Sequence, residues 1–290
     1  MKILLTGSSG QVGHELACAL GMHGELVLAD HAQMDLQNPT QIRDVIRSVQ
    51  PQLIINPAAY TAVDQAESEP DLAMRINVEA PAVMAEEAKK LGAAMIHYST
   101  DYVFDGTKPG AYTEQDVPNP QSVYGRSKLA GEQAVQSAGI PHLILRTSWV
   151  YGLHGRNFLL TIKRLARERE ELRIVADQIG APTWSRTVAT ATASVVRSLQ
   201  LPMPDHDAWL AQSGVYHLTA QGHTSWYDFA KAIVSQDELV KKPRILPIKT
   251  AEYPLPARRP ANSMLSCEKF IRAFGSLPPW DDALSVCMRK

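Results

Sequence analysis

Through the first half of the chain, short apolar runs alternate with longer stretches whose apolar positions recur every three or four residues. Residues 3–6 form the first run, apolar up to Thr6, as a strand buried on both faces requires. Residues 11–22 then place Val12, Leu16, Ala19 and Leu20 on one helical face. The same alternation predicts strands at 25–29, 52–56, 94–99 and 142–147, and helices at 40–49, 71–91 and 124–137. Residues 71–91 are rich in Ala, Met, Glu and Lys, all good helix formers. Helices long enough to cross over between apolar strands predict an α/β fold with a doubly wound, Rossmann-like parallel sheet.

After Tyr151 the alternation weakens, and prolines gather at Pro243, Pro247, Pro254, Pro256, Pro260, Pro278 and Pro279. The expected organisation is a dinucleotide-binding domain with a catalytic helix at 1–151. A smaller, mixed lobe at 152–290 would hold substrate and return some chain to the first domain. Composition fits this picture without changing it, with 45% hydrophobic and 20% charged residues in 290. The balance of 29 basic and 30 acidic residues argues against nucleic acid or an anionic membrane as partner. Cys18, Cys267 and Cys287 are widely spaced and form no zinc pattern, so reduced thiols and a cytoplasmic setting are expected. No run approaches the roughly 18 apolar residues of a membrane-spanning helix.

Gly7, Gly10 and Gly13 stand as G-x-x-G-x-x-G between the first strand and the first helix. Glycines there allow a tight turn and let backbone N–H groups approach a pyrophosphate, with the positive end of the helix dipole behind them. A plain strand-to-helix turn also uses glycine, but this position favours dinucleotide binding. Asp30 closes the second strand, where a carboxylate accepts a ribose 2′-hydroxyl and repels a 2′-phosphate. No arginine lies in 29–32, so NADH is expected to bind at least as well as NADPH. Asp35 and Leu36 follow, at the place expected for adenine.

Tyr124 and Lys128 are four apart at the start of a predicted helix, on one face. An ammonium beside a phenol favours the phenolate, which suits Tyr124 to proton transfer at a carbonyl oxygen. A second Tyr-x-x-x-Lys, Tyr227 to Lys231, lies outside the alternating region and reads as an ordinary helix start with Ser225 as cap. The first pair follows a strand ending Tyr98-Ser99-Thr100-Asp101, and ligands of open α/β sheets gather at strand carboxyl ends. The Thr100 hydroxyl can there meet the same carbonyl or Tyr124.

These features resemble the extended short-chain dehydrogenase/reductases. Within them, several runs are similar to the dTDP-4-dehydrorhamnose reductase family: His97-Tyr-Ser-Thr-Asp-Tyr-Val-Phe-Asp-Gly106, Ala58-Ala-Tyr-Thr-Ala-Val-Asp-Gln-Ala-Glu67, Val123-Tyr-Gly-Arg-Ser-Lys-Leu-Ala-Gly-Glu132 and Arg146-Thr-Ser-Trp-Val-Tyr-Gly152. Asp177-Gln-Ile-Gly-Ala-Pro-Thr183, Tyr216-His-Leu218 and Pro256-Ala-Arg-Arg-Pro-Ala-Asn-Ser263 extend the likeness over nearly the whole chain. The resemblance implies reduction of dTDP-4-dehydro-6-deoxy-L-mannose to dTDP-L-rhamnose with NADPH or NADH. It implies Tyr124 as proton donor, Lys128 as its partner and a cofactor ligand, and Thr100 as tuner of the tyrosine. Thr100 and Asp101 would contact the sugar. Trp149 would pack on sugar or base, although a core tryptophan would satisfy the same position. Gly10, Gln11, Val12, Asp30, Asp35, Leu36, Ala59, Tyr60 and Thr61 would contact the cofactor. Arg258 or Arg259 would meet a diphosphate, since guanidinium forks match phosphate oxygens, or else stand in solvent.

The likeness has one departure and leaves two other functions open. Some relatives form a metal-linked dimer through acidic residues. Glu15 is present here, but residues 183–191 hold no acid, which argues against a bridging Mg²⁺. A monomer or a homodimer without metal is expected. One alternative function is another nucleotide-sugar reductase or epimerase. Dehydratase-like members usually carry Glu after the Ser-Thr-Asp run, where this chain has Tyr102, which favours simple reduction. The other is a non-catalytic subunit resembling the regulatory subunit of methionine adenosyltransferase.

Overall fold

Residues 1–199 and 206–289 are described by the computed structural model. The chain opens with β1 (Lys2–Thr6), α1 (Gln11–Leu20), β2 (Glu25–Ala29), α2 (Pro39–Val49) and β3 (Leu53–Asn56). Short helices α3 (Val63–Ala66) and α4 (Pro70–Met74) lead through a π-helical stretch, Arg75–Glu79, into α5 (Ala80–Leu91). Then come β4 (Ala94–Thr100), a 3₁₀ turn (Asp101–Val103), α6 (Val123–Ser137) and β5 (His142–Thr147).

Beyond this point lie β6 (Val150–Tyr151), α7 (Phe158–Glu168), β7 (Glu171–Val175), β8 (Ile179–Gly180), β9 (Thr183–Trp184) and α8 (Ser185–Ser198). The chain continues through α9 (His206–Ala211), β10 (Gly214–His217), β11 (Thr224–Ser225), α10 (Trp226–Gln236) and β12 (Arg244–Ile248) to α11 (Glu268–Phe274) and α12 (Trp280–Met288).

Six strands form one parallel sheet in the order β10-β5-β4-β3-β1-β2. The uniformly apolar strands lie where both faces are covered, as a parallel sheet demands. On one face, Leu16 and Leu20 of α1 pack with Val188, Val195 and Val196 of α8 and Phe270 of α11. On the other, Ile42 and Ile46 of α2 pack with Val83 and Met84 of α5 and Val135 of α6. A separate core joins Leu159 and Ile162 of α7, Leu172 of β7, Phe229 and Ile233 of α10, and Leu284 of α12. Chain beyond residue 151 thus builds its own core and also supplies the sixth strand and two covering helices of the main sheet. The order reverses between β1 and β3, and the crevice at such a reversal is where α/β sheets bind ligands.

Two predicted helices differ in detail. The first stops at Leu20, with Gly21 beyond it, rather than at residue 22. The single helix expected over 71–91 is interrupted by the π stretch. The extra residue per turn re-aims Asn77. Its side chain accepts from Tyr60 N (2.9 Å) and donates to Tyr60 O (3.1 Å) and Ser127 Oγ (2.9 Å). Propensity makes the segment helical throughout, but a tertiary hydrogen-bonding need decides the local winding.

Candidate active site

A cleft of about 620 Å³ opens at the carboxyl ends of β1, β3, β4 and β5. One end is the glycine loop. A Cβ on Gly13 would come within 2.0 Å of Gly7 O, so only glycine lets α1 start this close to the turn after β1. Helix α1 has no side-chain cap and no acid in its first turn. The first-turn N–H groups of Gln11, Val12 and Gly13 therefore lack helical partners at the cleft. A diphosphate fits this cradle, by charge and by the space the missing Cβ atoms leave.

Asp30 stands at the end of β2, in the cleft wall. Its Oδ1 accepts from Ala32 N (2.9 Å) and Gln33 N (3.1 Å), which fixes the turn and leaves Oδ2 for a ligand. Asp35 and Leu36 also line this end, as do Ala59 and Thr61 after β3. Tyr60 does not. Its ring turns away to donate to Glu69 Oε2 (2.8 Å), while Asn77 holds its backbone.

At the middle of the cleft β4 delivers Thr100 and Asp101, and the first turns of α6 deliver Tyr124 and Lys128. Ser122 caps α6 by accepting from Gly125 N (3.1 Å), which fixes where the helix begins and hence where Tyr124 points. The Tyr124 ring meets Tyr102 edge to face, with centroids 5.5 Å apart. Thr100 Oγ1 donates to Asp101 Oδ1 (3.0 Å) and accepts from Tyr102 N (3.2 Å). Burial raises the Asp101 carboxyl to about 6, against hydroxyl hydrogen bonds from Ser263 and Thr100.

The expected lowering of the tyrosine by the neighbouring ammonium is not what the geometry gives. Burial pushes the Tyr124 phenol well above its ordinary range, and a hydrogen bond with Thr100 works only partly against it. Lys128 donates to Tyr98 O (2.7 Å). Burial lowers the Lys128 ammonium to about 8, with the Glu132 carboxylate pulling the other way. A phenol held protonated in this way is suited to give a proton to a developing alkoxide.

Beneath these groups lies a buried polar layer that sequence reading missed. Arg146 of β5 donates twice to Glu132 of α6 (2.9 and 2.7 Å), and Ser99 of β4 donates to the same carboxylate. Thr6 donates to Asn56 (2.6 Å), which meets His97 Nδ1 (3.1 Å), linking β1, β3 and β4. Burial, with the Lys128 charge adding to it, keeps His97 neutral and able to accept. These residues come from separate strands and a helix and meet only when the sheet is assembled, so no local pattern announced them.

The far end is aromatic. Trp149 lines the cleft and has a left-handed backbone (φ 48°), rare for a bulky residue and a mark of a site held by its surroundings. Its indole stacks on Trp226 at 3.6 Å. A Cβ at Gly180 would lie 2.5 Å from the same ring, so the Gly180 position admits no side chain. Trp226, also in the cleft wall, was not anticipated. Its one signal was its position at the start of a helix capped by Ser225, which accepts from Asp228 N (3.0 Å). The second Tyr-Lys pair is the ordinary helix start expected, with Lys231 over the Tyr227 ring (5.0 Å).

Arg259 does not line the cleft. It pairs with Asp64 and lies over the Tyr102 ring (5.8 Å). Arg258 faces Gln121 at 3.5 Å. Glu15 is held by Arg186 (2.8 Å), so it does not fit a cation bridge. No group of three or more potential metal ligands occurs among the described residues, and no described helix is long and apolar enough to cross a membrane.

The family described as RmlD substrate binding domain matches residues 1–290. The dTDP-4-dehydrorhamnose reductase of Burkholderia thailandensis is 48% identical, with 100% of this chain and 98% of the relative aligned. That of Escherichia coli K12 is 45% identical, covering 97% and 94%. Among solved structures, the dTDP-4-dehydrorhamnose reductase of Bacillus anthracis in complex with NADP superposes with a TM-score of 0.91. It is 36% identical over 99% of this chain and 98% of that one. With its full length matched and its cleft built from the residues described above, the chain belongs to the dTDP-4-dehydrorhamnose reductase family.

Proposed function

We propose that the chain reduces the C4 keto group of dTDP-4-dehydro-6-deoxy-L-mannose with NADPH or NADH, giving dTDP-L-rhamnose. The observation that carries this reading is the meeting of Thr100, Tyr124 and Lys128 in one cleft with the glycine loop. Reduced nicotinamide, when bound, supplies the hydride. The chain's own residues do the rest. Gln11, Val12 and Gly13 offer N–H groups to the diphosphate across the turn that Gly10 closes on Gly7 O (2.9 Å), and Asp30 offers its free oxygen to the adenosine ribose. Tyr124 gives its proton to the oxygen that becomes the new hydroxyl. Thr100 hydrogen-bonds the phenol and steadies it as charge develops. Lys128, one helical turn on, holds the nicotinamide ribose. Asp101 takes sugar hydroxyls, and Trp149 packs against sugar or base.

Asp30, with no arginine beside it, supports use of NADH at least as readily as NADPH. The free thiols of Cys18, Cys267 and Cys287 support a reducing, cytoplasmic setting. The Glu15–Arg186 pair supports a monomer, or a homodimer that needs no metal.

Deuterium distinguishes reduction from the epimerase alternative. Cofactor carrying deuterium at its transferable position is expected to place one deuterium at C4 of the product, with one cofactor oxidised per sugar. Interconversion of sugar epimers with no net cofactor oxidation would overturn the reading. So would an inert sugar that the chain nonetheless binds, which would point to the non-catalytic subunit.

A further inference from the structure

The cleft carries more fixed negative than positive charge. Its lining residues include three carboxylates, from Asp30, Asp35 and Asp101, but only two fixed cations, Lys128 and Arg156. Lys128 is buried at the middle of the cleft and tied to Tyr98 O. A bound dinucleotide brings two negative charges to the glycine loop, where the N–H dipoles are the only other counter-charge. Arg156 is exposed on the cleft wall and makes no ion pair among the described residues.

Its place is set by a strap running from Gly152 to Asn157 across the glycine loop. Gln11 Nε2 donates to Arg156 O (3.2 Å), and Asn157 donates to Gln11 Oε1 (2.9 Å). His154 donates to Ser9 O (2.8 Å) and stacks on His14 of α1, with centroids 4.3 Å apart. Asn157 closes the strap on itself by donating to Gly152 O (2.9 Å), and caps α7 by accepting from Leu160 N (3.1 Å). Four anchoring contacts between the strap and the Ser9–His14 segment are more than a connecting loop needs. They fix the Arg156 backbone beside the first turn of α1 while leaving its side chain unpaired.

We infer that Arg156 is a cofactor-binding residue that supplies the mobile counter-charge to the dinucleotide diphosphate, closing over it from the strap. The inference rests on the nicotinamide-dependent reading above. A guanidinium suits the task because it offers parallel donors to phosphate oxygens. The strap also ties the chain after β6 to the glycine loop.

The test is direct binding to the chain alone. NADH and NADPH are titrated by nicotinamide fluorescence into wild type, Arg156→Ala and Arg156→Lys at low and moderate salt. Binding of dTDP is followed by calorimetry. An exposed, unpaired side chain leaves the fold intact when removed. Arg156→Ala is expected to weaken NADH and NADPH alike, about tenfold each, as for loss of one charge-assisted hydrogen bond. It should flatten the salt dependence and leave dTDP unchanged, and Arg156→Lys should recover much of the loss. Unchanged binding of both cofactors would overturn the inference. So would loss confined to NADPH, which would place Arg156 at a 2′-phosphate, or loss confined to dTDP, which would assign it to the substrate. Wild type that binds neither cofactor would instead sink the reductase reading itself.

Discussion

Tyr124 and Lys128 show how burial sets the chemistry of single residues. Tyr124 is kept a neutral acid because a buried phenolate is poorly solvated, and Thr100 only softens this. Lys128 is lowered by the same cause to about 8. Its ammonium is therefore present at neutral pH and is lost as pH rises through about 8. The apo chain's kcat/KM is expected to fall along a basic limb centred near there, and a profile flat to pH 10 would show that the lysine charge is not needed. Stability carries the opposite sign. The unfolded lysine, at 10.5, binds more protons between 8 and 10.5 than the folded one, so stability rises with pH across that window. Urea midpoints at pH 8 and pH 10 should differ less in Lys128→Met than in wild type. The spacing of Tyr124 and Lys128 was plain in the sequence. The direction of their titration was not, because it depends on how deeply α6 is seated.

Elements place these residues by their ends. Helix α1 begins against the turn after β1 because Gly13 has no Cβ, and α6 begins at Val123, one residue before Tyr124, because Ser122 caps it. Gly13→Ala forces the Gly7 turn open. It is expected to weaken cofactor binding at least tenfold with a stability loss of roughly 1–3 kcal/mol from overpacking, read by fluorescence titration and urea unfolding. Binding as tight as wild type would mean that the turn tolerates a methyl group. Periodicity located nearly every crossover helix and strand of the first half, since a two-sided parallel sheet writes continuous apolar runs. It could not show the π stretch at Arg75–Glu79, which exists to aim Asn77 at Tyr60, a contact 17 residues away in sequence. Nor could it show Trp226 meeting Trp149, which becomes adjacent only when α10 docks.

In the whole molecule, the site depends on chain returning from far away. Strand β10 completes the sheet beside β5, and α8 covers it beside α1. The buried Glu132–Arg146 pair fastens α6 to β5 directly below the cleft, with both side chains at most 4% exposed. Removing one partner strands the other in the core. Glu132→Gln is expected to cost about 3–5 kcal/mol in chemical unfolding, and a loss below 1 kcal/mol would mean that water reaches the arginine. Such long-range pairings are invisible to local pattern, whereas the order of glycine loop, strand-end Ser-Thr and Tyr-x-x-x-Lys along the chain was enough to assemble the cleft. Arg258 and Arg259 show the limit, since a sequence rich in diphosphate-matching groups does not say which of them an intramolecular acid, here Asp64, has already taken.

The most direct measurement compares wild type with Tyr124→Phe. Both are assayed for loss of reduced-nicotinamide absorbance on adding dTDP-4-dehydro-6-deoxy-L-mannose, with cofactor affinity measured in parallel. Wild type should oxidise cofactor only when the sugar is present. The variant should bind cofactor within about twofold of wild type and lose roughly 10²–10⁴ in kcat, the range of a missing general acid. Near-normal turnover in Tyr124→Phe, or sugar-independent oxidation by wild type, would contradict the account.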